Sequence, residues 1–200
     1  LEEIGEYYKF GIGTKVNPIK ALQSYKKCSE LNIEKCLVEM YVTYSEGLFN
    51  EKPNEELKLS YINKLLEINS NEGYIAMGEH LIKNAKNEID VRNGLLNYDK
   101  AKEEAYPFLL EIYFFPDKYP IFFKMYSNVQ ENKRKGLKLL KEIFTNDKHE
   151  NYDLNLTYLK NIVNSPEYTK ALNHQDLKQM IKKLDIISRN FKPNSSQIQG

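Results

Sequence analysis

The feature that most constrains this chain is a pattern of small and aromatic residues that returns after about 36 positions. Residues 4 to 32 set the pattern. Ile4, Gly5 and Tyr8 share one face of a first helix, and Gly11 to Gly13 end it, because glycine tolerates the left-handed conformation of a helix C-cap. Asn17 and Pro18 then open a second helix as cap and first helical residue. Ala21, Tyr25 and Cys28 follow at four- and three-residue steps and predict its buried stripe.

A shift of 36 puts Met40, Tyr44 and Gly47 in the places of Ile4, Tyr8 and Gly11. A partner helix follows near residues 54 to 69, with Leu57, Tyr61 and Leu65 as its stripe. In a third pair Met77-Gly78 repeats Ile4-Gly5, and Gly94, Tyr98 and Ala101 repeat Ala21, Tyr25 and Cys28. A fourth pair has Leu109 and Tyr113 in its first helix, and Gly136, Leu140 and Ile143 in its second. Between them, the aromatic stretch 116–129 carries two prolines and is expected to be an insertion or a short extra helix. Alternation of apolar and polar residues is rare, so strands are not expected.

The expected fold is all-α: antiparallel helix hairpins stacked in one array over residues 1–190. The repeats are placed at about 1–32, 33–69, 72–103 and 104–145. A degenerate, Lys-rich pair over 150–190 reads as the cap, and 191–200 as a flexible tail. No single hairpin can bury both of its faces, so neighbours must stack.

These residues resemble Sel-one-like repeats, relatives of the tetratricopeptide repeat. The family pattern runs Leu-Gly-x-x-Tyr-x-x-Gly-x-Gly, then Lys-Ala, then Tyr-x-Lys-Ala-Ala. The first repeat matches it with Ile4, Gly5, Tyr8, Gly11, Gly13, Lys20, Ala21, Tyr25 and Lys27. Later repeats match less fully: Phe49 replaces the second loop glycine, and Pro116 stands where a glycine would close repeat four. The resemblance implies a right-handed α/α superhelix, a solenoid, whose concave face is lined by first helices.

Cys28 and Cys36 stand where that family has alanines, at the end of one hairpin and the start of the next. The pair is similar to those of the Helicobacter cysteine-rich protein family, a secreted bacterial branch of these repeats. That resemblance implies a Cys28–Cys36 disulfide across the hairpin junction, and with it a periplasmic or secreted location. The other reading is two small buried hydrophobes. Repeat three has Ala101 and Ala105 in the two positions.

Composition narrows the function. A net charge of +1 across 200 residues argues against nucleic acid as a partner, because phosphate neutralisation needs a basic excess on one face. No run approaches the roughly 20 apolar residues of a membrane span. The chain opens at Leu1 within an expected helix, without a signal peptide, and reads as a mature or excised form.

The chemistry-bearing residues are few. His80, His149 and His174 form no metal-ligand spacing, and no nucleophile elbow or phosphate loop occurs. Asn155 and Asn194 sit in short glycosylation patterns. No catalytic residue, metal or cofactor is therefore assigned.

Charge separates between helices. First helices carry Glu2, Glu3, Glu6, Glu39, Glu46, Glu79 and Glu111, while second helices carry lysines such as Lys20, Lys58, Lys100 and Lys133. Taken with the implied concave face, this predicts an acidic groove for a protein or peptide partner with a basic segment. Glu6, Tyr7, Phe10, Glu39, Thr43, Glu79, His80 and Glu111 are its candidate residues.

The expected function is a non-enzymatic protein–protein interaction scaffold, in one version a bacterial immunity or adaptor protein. The alternatives are a component of an envelope or secretion assembly and, by resemblance to the cysteine-rich family, a β-lactam-binding hydrolase.

Overall fold

Capping residues set the helix boundaries. Asn17, Asn54 and Asn87 each accept a backbone N–H from the first turn of the helix that follows, and Ser70 does the same through its hydroxyl. Gly11 and Gly47 close their helices with φ of 73° and 76°, in the left-handed region. The structure, a computed structural model, describes residues 1–115 and 118–145, with isolated positions 164–166, 175, 178–179 and 181–182. Every element among the described residues is helical, as an all-α fold requires. The expected fifth pair over 150–190 falls almost wholly outside them. So do the tail, Pro116, His149, His174, Asn155, Asn194 and the side chains of Lys133, Leu140 and Ile143.

The chain forms two compact units, Leu1–Ala105 and the part from Tyr106 onward. The boundary falls close to the expected junction between the third and fourth repeats. In the first unit the helices are α1 (Glu2–Phe10), α2 (Pro18–Ser29), α3 (Glu34–Glu46), α4 (Glu55–Glu67), α5 (Asn71–Lys83) and α6 (Glu88–Ala101). A 3-10 turn over Lys102–Ala105 follows. Each helix packs on the next in sequence.

The pairs α1–α2, α3–α4 and α5–α6 are hairpins. Gly5 lies against Tyr25 and Gly78 against Tyr98, while Gly94, earlier in α6, lies against Ile82, later in α5. Those crossed contacts make α5 and α6 antiparallel. A Cβ on Gly78 would stand 2.7 Å from the Tyr98 ring, so the third hairpin repeats the glycine–tyrosine contact of the first.

The loop hydrogen bonds match between the first two hairpins. Gly11 and Ile12 donate to the Tyr7 carbonyl, and Gly47 and Leu48 donate to that of Thr43. Asn17 donates to Tyr8 O, and Asn54 to Tyr44 O, each at 2.8 Å. First helices are therefore equivalent at a shift of 36. The capping asparagines are equivalent at 37, because the second hairpin's loop is one residue longer. That extra residue corrects the expected α4 stripe. Ile62 and Leu65 are buried in the places of Tyr25 and Cys28, while Tyr61 is half-buried and Leu57 is exposed.

The first two hairpins share one core of Ala21, Leu22, Tyr25, Cys28, Cys36, Met40 and Tyr44. Cys28 and Cys36 form a disulfide at its centre, with Cα atoms 5.8 Å apart and both residues fully buried. Ala101 and Ala105, their expected counterparts, are also buried.

In the second unit, α7 (Tyr106–Phe114) packs on α9 (Val129–Thr145). The approach is close at Gly136, where a Cβ would stand 2.6 Å from the Phe114 ring. The proline-containing stretch between them holds the short extra helix α8 (Pro120–Met125), with Pro120 in its first turn.

Candidate functional site

The first helices do carry the carboxylates, but lysines on those same helices neutralise most of the expected acidic row. Lys9 Nζ lies 2.8 Å from both carboxylate oxygens of Glu39. Lys35 Nζ bridges Glu2 at 3.0 Å and Glu6 at 2.6 Å, and these contacts hold its ammonium above the usual lysine range, Glu6 first. Glu79 pairs with Lys83 one turn on, and Glu111, in the second unit, pairs with Lys118 at 3.3 Å. The expected charge separation rests on the lysines of second helices and leaves out Lys9, Lys35 and Lys83. Their signal was present, since Lys83 stands four residues after Glu79 on one helix face.

The expected anchors divide between two faces. Tyr7 and Thr43 are equivalent at the 36-residue shift, and His80 holds the same place in α5, given Gly5 and Gly78 as matched positions. In α3 this place is buried, and in α5 it meets the preceding hairpin. Thr43 is fully buried and its hydroxyl donates to the Glu39 carbonyl at 2.6 Å, so it is removed from the partner-binding set. His80 reaches back to α4, where its Nδ1 lies 3.0 Å from Glu55 Oε1. Asn84 Nδ2 sits 3.2 Å from the same ring nitrogen. Burial, then the charge of Lys58, pushes the His80 imidazole below its usual value, against the opposing pull of Glu55. His80 is thus a contact between hairpins. Phe10 is well exposed, with Lys9 Nζ 5.2 Å from its ring centre.

Tyr41 was not singled out from the sequence. It occupies the register place of Gly5, on α3, where it is half-buried. Burial pushes its hydroxyl up to about 12, and the negative charges of Glu72, Glu79 and Glu46 add to that. The carboxyl of Glu72 is itself raised, by burial first and then by Glu104 and Glu34. Tyr41 therefore marks a region of net negative potential on α3 and α5, opposed by Lys83. An aromatic ring in a negative field favours a nearby cation.

Among the described residues no group of three or more His, Cys, Asp or Glu is placed to hold a metal ion. No described helix is long and apolar enough to cross a membrane. Comparison with protein-family models, with curated proteins and with solved structures returns no match.

Proposed function

We propose that this chain is a non-enzymatic protein-binding scaffold, its hairpins stacked as a right-handed superhelix. On this reading, a partner protein or peptide places a lysine or arginine against Tyr41. The observation that carries it is Tyr41 itself, half-buried and in the field of Glu46, Glu72 and Glu79. Glu6, Glu39 and Glu79 then contribute by exchange: a basic partner segment competes with Lys35, Lys9 and Lys83 for them. Such exchange costs little at Lys35 and Lys83, because exposed ion pairs are worth about 0–1 kcal/mol. It makes the interaction depend on salt and on the position of the basic residues.

The buried disulfide supports an oxidising setting, periplasmic or secreted, for this scaffold. An immunity or adaptor role, with one cognate partner, fits the same face.

The test is affinity capture from the native extract with the parent, Tyr41→Ala and Glu79→Lys. The expected result is one partner in about equal amount with the parent and its loss with both variants. Equal capture by all three overturns the assignment of this face. Turnover of a β-lactam by the purified protein overturns the non-enzymatic reading.

A further inference from the structure

The loop end of the first hairpin combines apolar side chains and lysines with no carboxylate of its own. From Tyr7 to Ser29 the sequence holds Lys9, Lys15, Lys20, Lys26 and Lys27 and neither Asp nor Glu. The net charge of +1 over the whole chain conceals this local excess. Glu2, Glu3 and Glu30 stand at the other end of the hairpin, where α1 begins and α2 stops. Lys9 and Lys26 are engaged by Glu39 and Glu51 of the next hairpin. Lys15, Lys20 and Lys27 are exposed and in no ion pair among the described residues.

Four large apolar side chains share that loop end. Phe10, Ile12, Val16 and Ile19 are 61%, 54%, 60% and 61% exposed. The loop is pinned at its base, where the Asn17 N–H donates to Tyr8 O at 2.8 Å. Val16 folds back on Gly11, its Cγ2 3.1 Å from where a Cβ there would stand. At Gly13 an added Cβ would meet nothing within 4 Å. The loop is thus a held, projecting tip and not the wall of a groove.

This exposure does not depend on what precedes α1. The second and third hairpins each have a hairpin packed ahead of them, and their tips are exposed in the same places. Phe10 corresponds to Glu46 and Lys83. Val16, just before the capping asparagine, corresponds to Pro53 and Lys86, and Ile19, two after it, to Glu56 and Ile89. All six are exposed. What sets the first tip apart is its side chains, which are apolar at all three places.

We propose that this tip is a contact for the surface of an anionic lipid bilayer. Exposed apolar patches mark interaction surfaces, and a projecting tip suits a fluid acyl boundary, which needs no matching pocket. Phe10, Ile12, Val16 and Ile19 enter the boundary between headgroups and acyl chains. Lys15 and Lys20 stay at headgroup level against the lipid phosphates. Lys27, seven residues from Lys20 on the same face of α2, extends the contact. Repulsion from the adjacent tip is limited, because Lys26 and Lys58 hold Glu51 and Glu55.

The test is sedimentation of the full chain with vesicles, either of phosphatidylcholine alone or of phosphatidylcholine and phosphatidylglycerol in equal parts. The expected result is binding to the mixed vesicles and not to the neutral ones, lost in strong salt. Lys15→Glu with Lys20→Glu is expected to weaken it by more than about tenfold, and Ile12→Ser with Ile19→Ser by about tenfold. Helical circular dichroism and melting are expected to stay unchanged in both, because all four side chains are exposed. Failure to bind the mixed vesicles overturns the proposal. So does equal binding to the two kinds of vesicle, or binding that either folded double variant leaves intact. Capture of an acidic protein through this tip, without vesicle binding, overturns the lipid assignment in favour of a protein contact.

Discussion

The ring of Tyr25 fills the space that a side chain at Gly5 would need, with Cε1 only 2.6 Å from where a Cβ would stand. The two helices of the first hairpin meet through that contact. Gly5→Ala is therefore expected to force the ring and helix apart and to cost about 1–3 kcal/mol. Urea unfolding of parent and variant measures it. The Tyr25 hydroxyl is buried and makes no hydrogen bond among the described residues. Its ionisation is pushed up by burial and then by Glu39, Glu6 and Glu2, so the phenol stays neutral. Tyr25→Phe keeps the packing, removes the unpaired group and is expected to stabilise by about 1 kcal/mol.

Phe49 holds a φ of 54°, in a region that bulky residues rarely enter, where the first hairpin has Gly13 at 67°. Its ring lies 5.8 Å from that of Tyr25, centre to centre, which is what keeps it there. Phe49→Ala loses the ring and retains the strain, whereas Phe49→Gly loses the ring and relieves it. Glycine is expected to be the milder substitution by about 1 kcal/mol, the reverse of the usual order. A thermal melt of the two variants decides it.

His80 gives the first unit a pH dependence of known sign. Its folded-state value lies below the unfolded one, so the unfolded chain takes up the proton first as pH falls. Stability from this group is complete above the ordinary histidine value, near 6.5, and is lost as pH falls through the lower folded value. The facing charges are Glu55 and Lys58, and Glu55 is held below the usual carboxylate range, by Lys58 first. It stays ionised through the window. The parent is expected to lose melting temperature between pH 7 and pH 5, and His80→Gln to lose less. Equal slopes would remove the assignment.

The disulfide closes a short loop, and on the chain-entropy model that contributes about 2.5 kcal/mol. Cys28→Ala with Cys36→Ala reproduces the alanines that the third hairpin carries at positions 101 and 105. The double variant is expected to fold and to melt earlier, by an amount that reductant no longer changes. Free thiols in protein taken from its native compartment would withdraw the periplasmic or secreted location.

The hairpin pattern was legible because glycine, asparagine and tyrosine each have a fixed local role. Gly11 and Gly47 are caps, Asn17 and Asn54 start helices, and Gly5 and Gly78 admit tyrosines. Leu65 of the α4 stripe is buried as expected, but Tyr61 stands one residue from the buried Ile62, because nothing local distinguishes a loop of one length from the next. Asn54 was the marker, being 37 rather than 36 residues after Asn17. The site was less legible. Which face of a first helix meets its neighbour depends on how hairpins stack, so nothing local marks Thr43 as buried or His80 as a partner of Glu55. Ion pairing hid the rest, because Glu39 and Lys9 are 30 residues apart and meet only across two hairpins. Tyr41 gives no signal in one sequence, since its neighbours Glu72 and Glu79 belong to another hairpin.

The disulfide spans the turn that joins the first two hairpins, and residues 30–35, that turn and the start of α3, are exposed. A peptide bond cut anywhere between Cys28 and Cys36 therefore leaves a two-chain molecule rather than two fragments. Such a nicked form has the mass of the intact chain plus one water and separates only under reduction. Backbone continuity at this junction is thus duplicated, and the contact between the hairpins can outlast the scission of the segment that formed it.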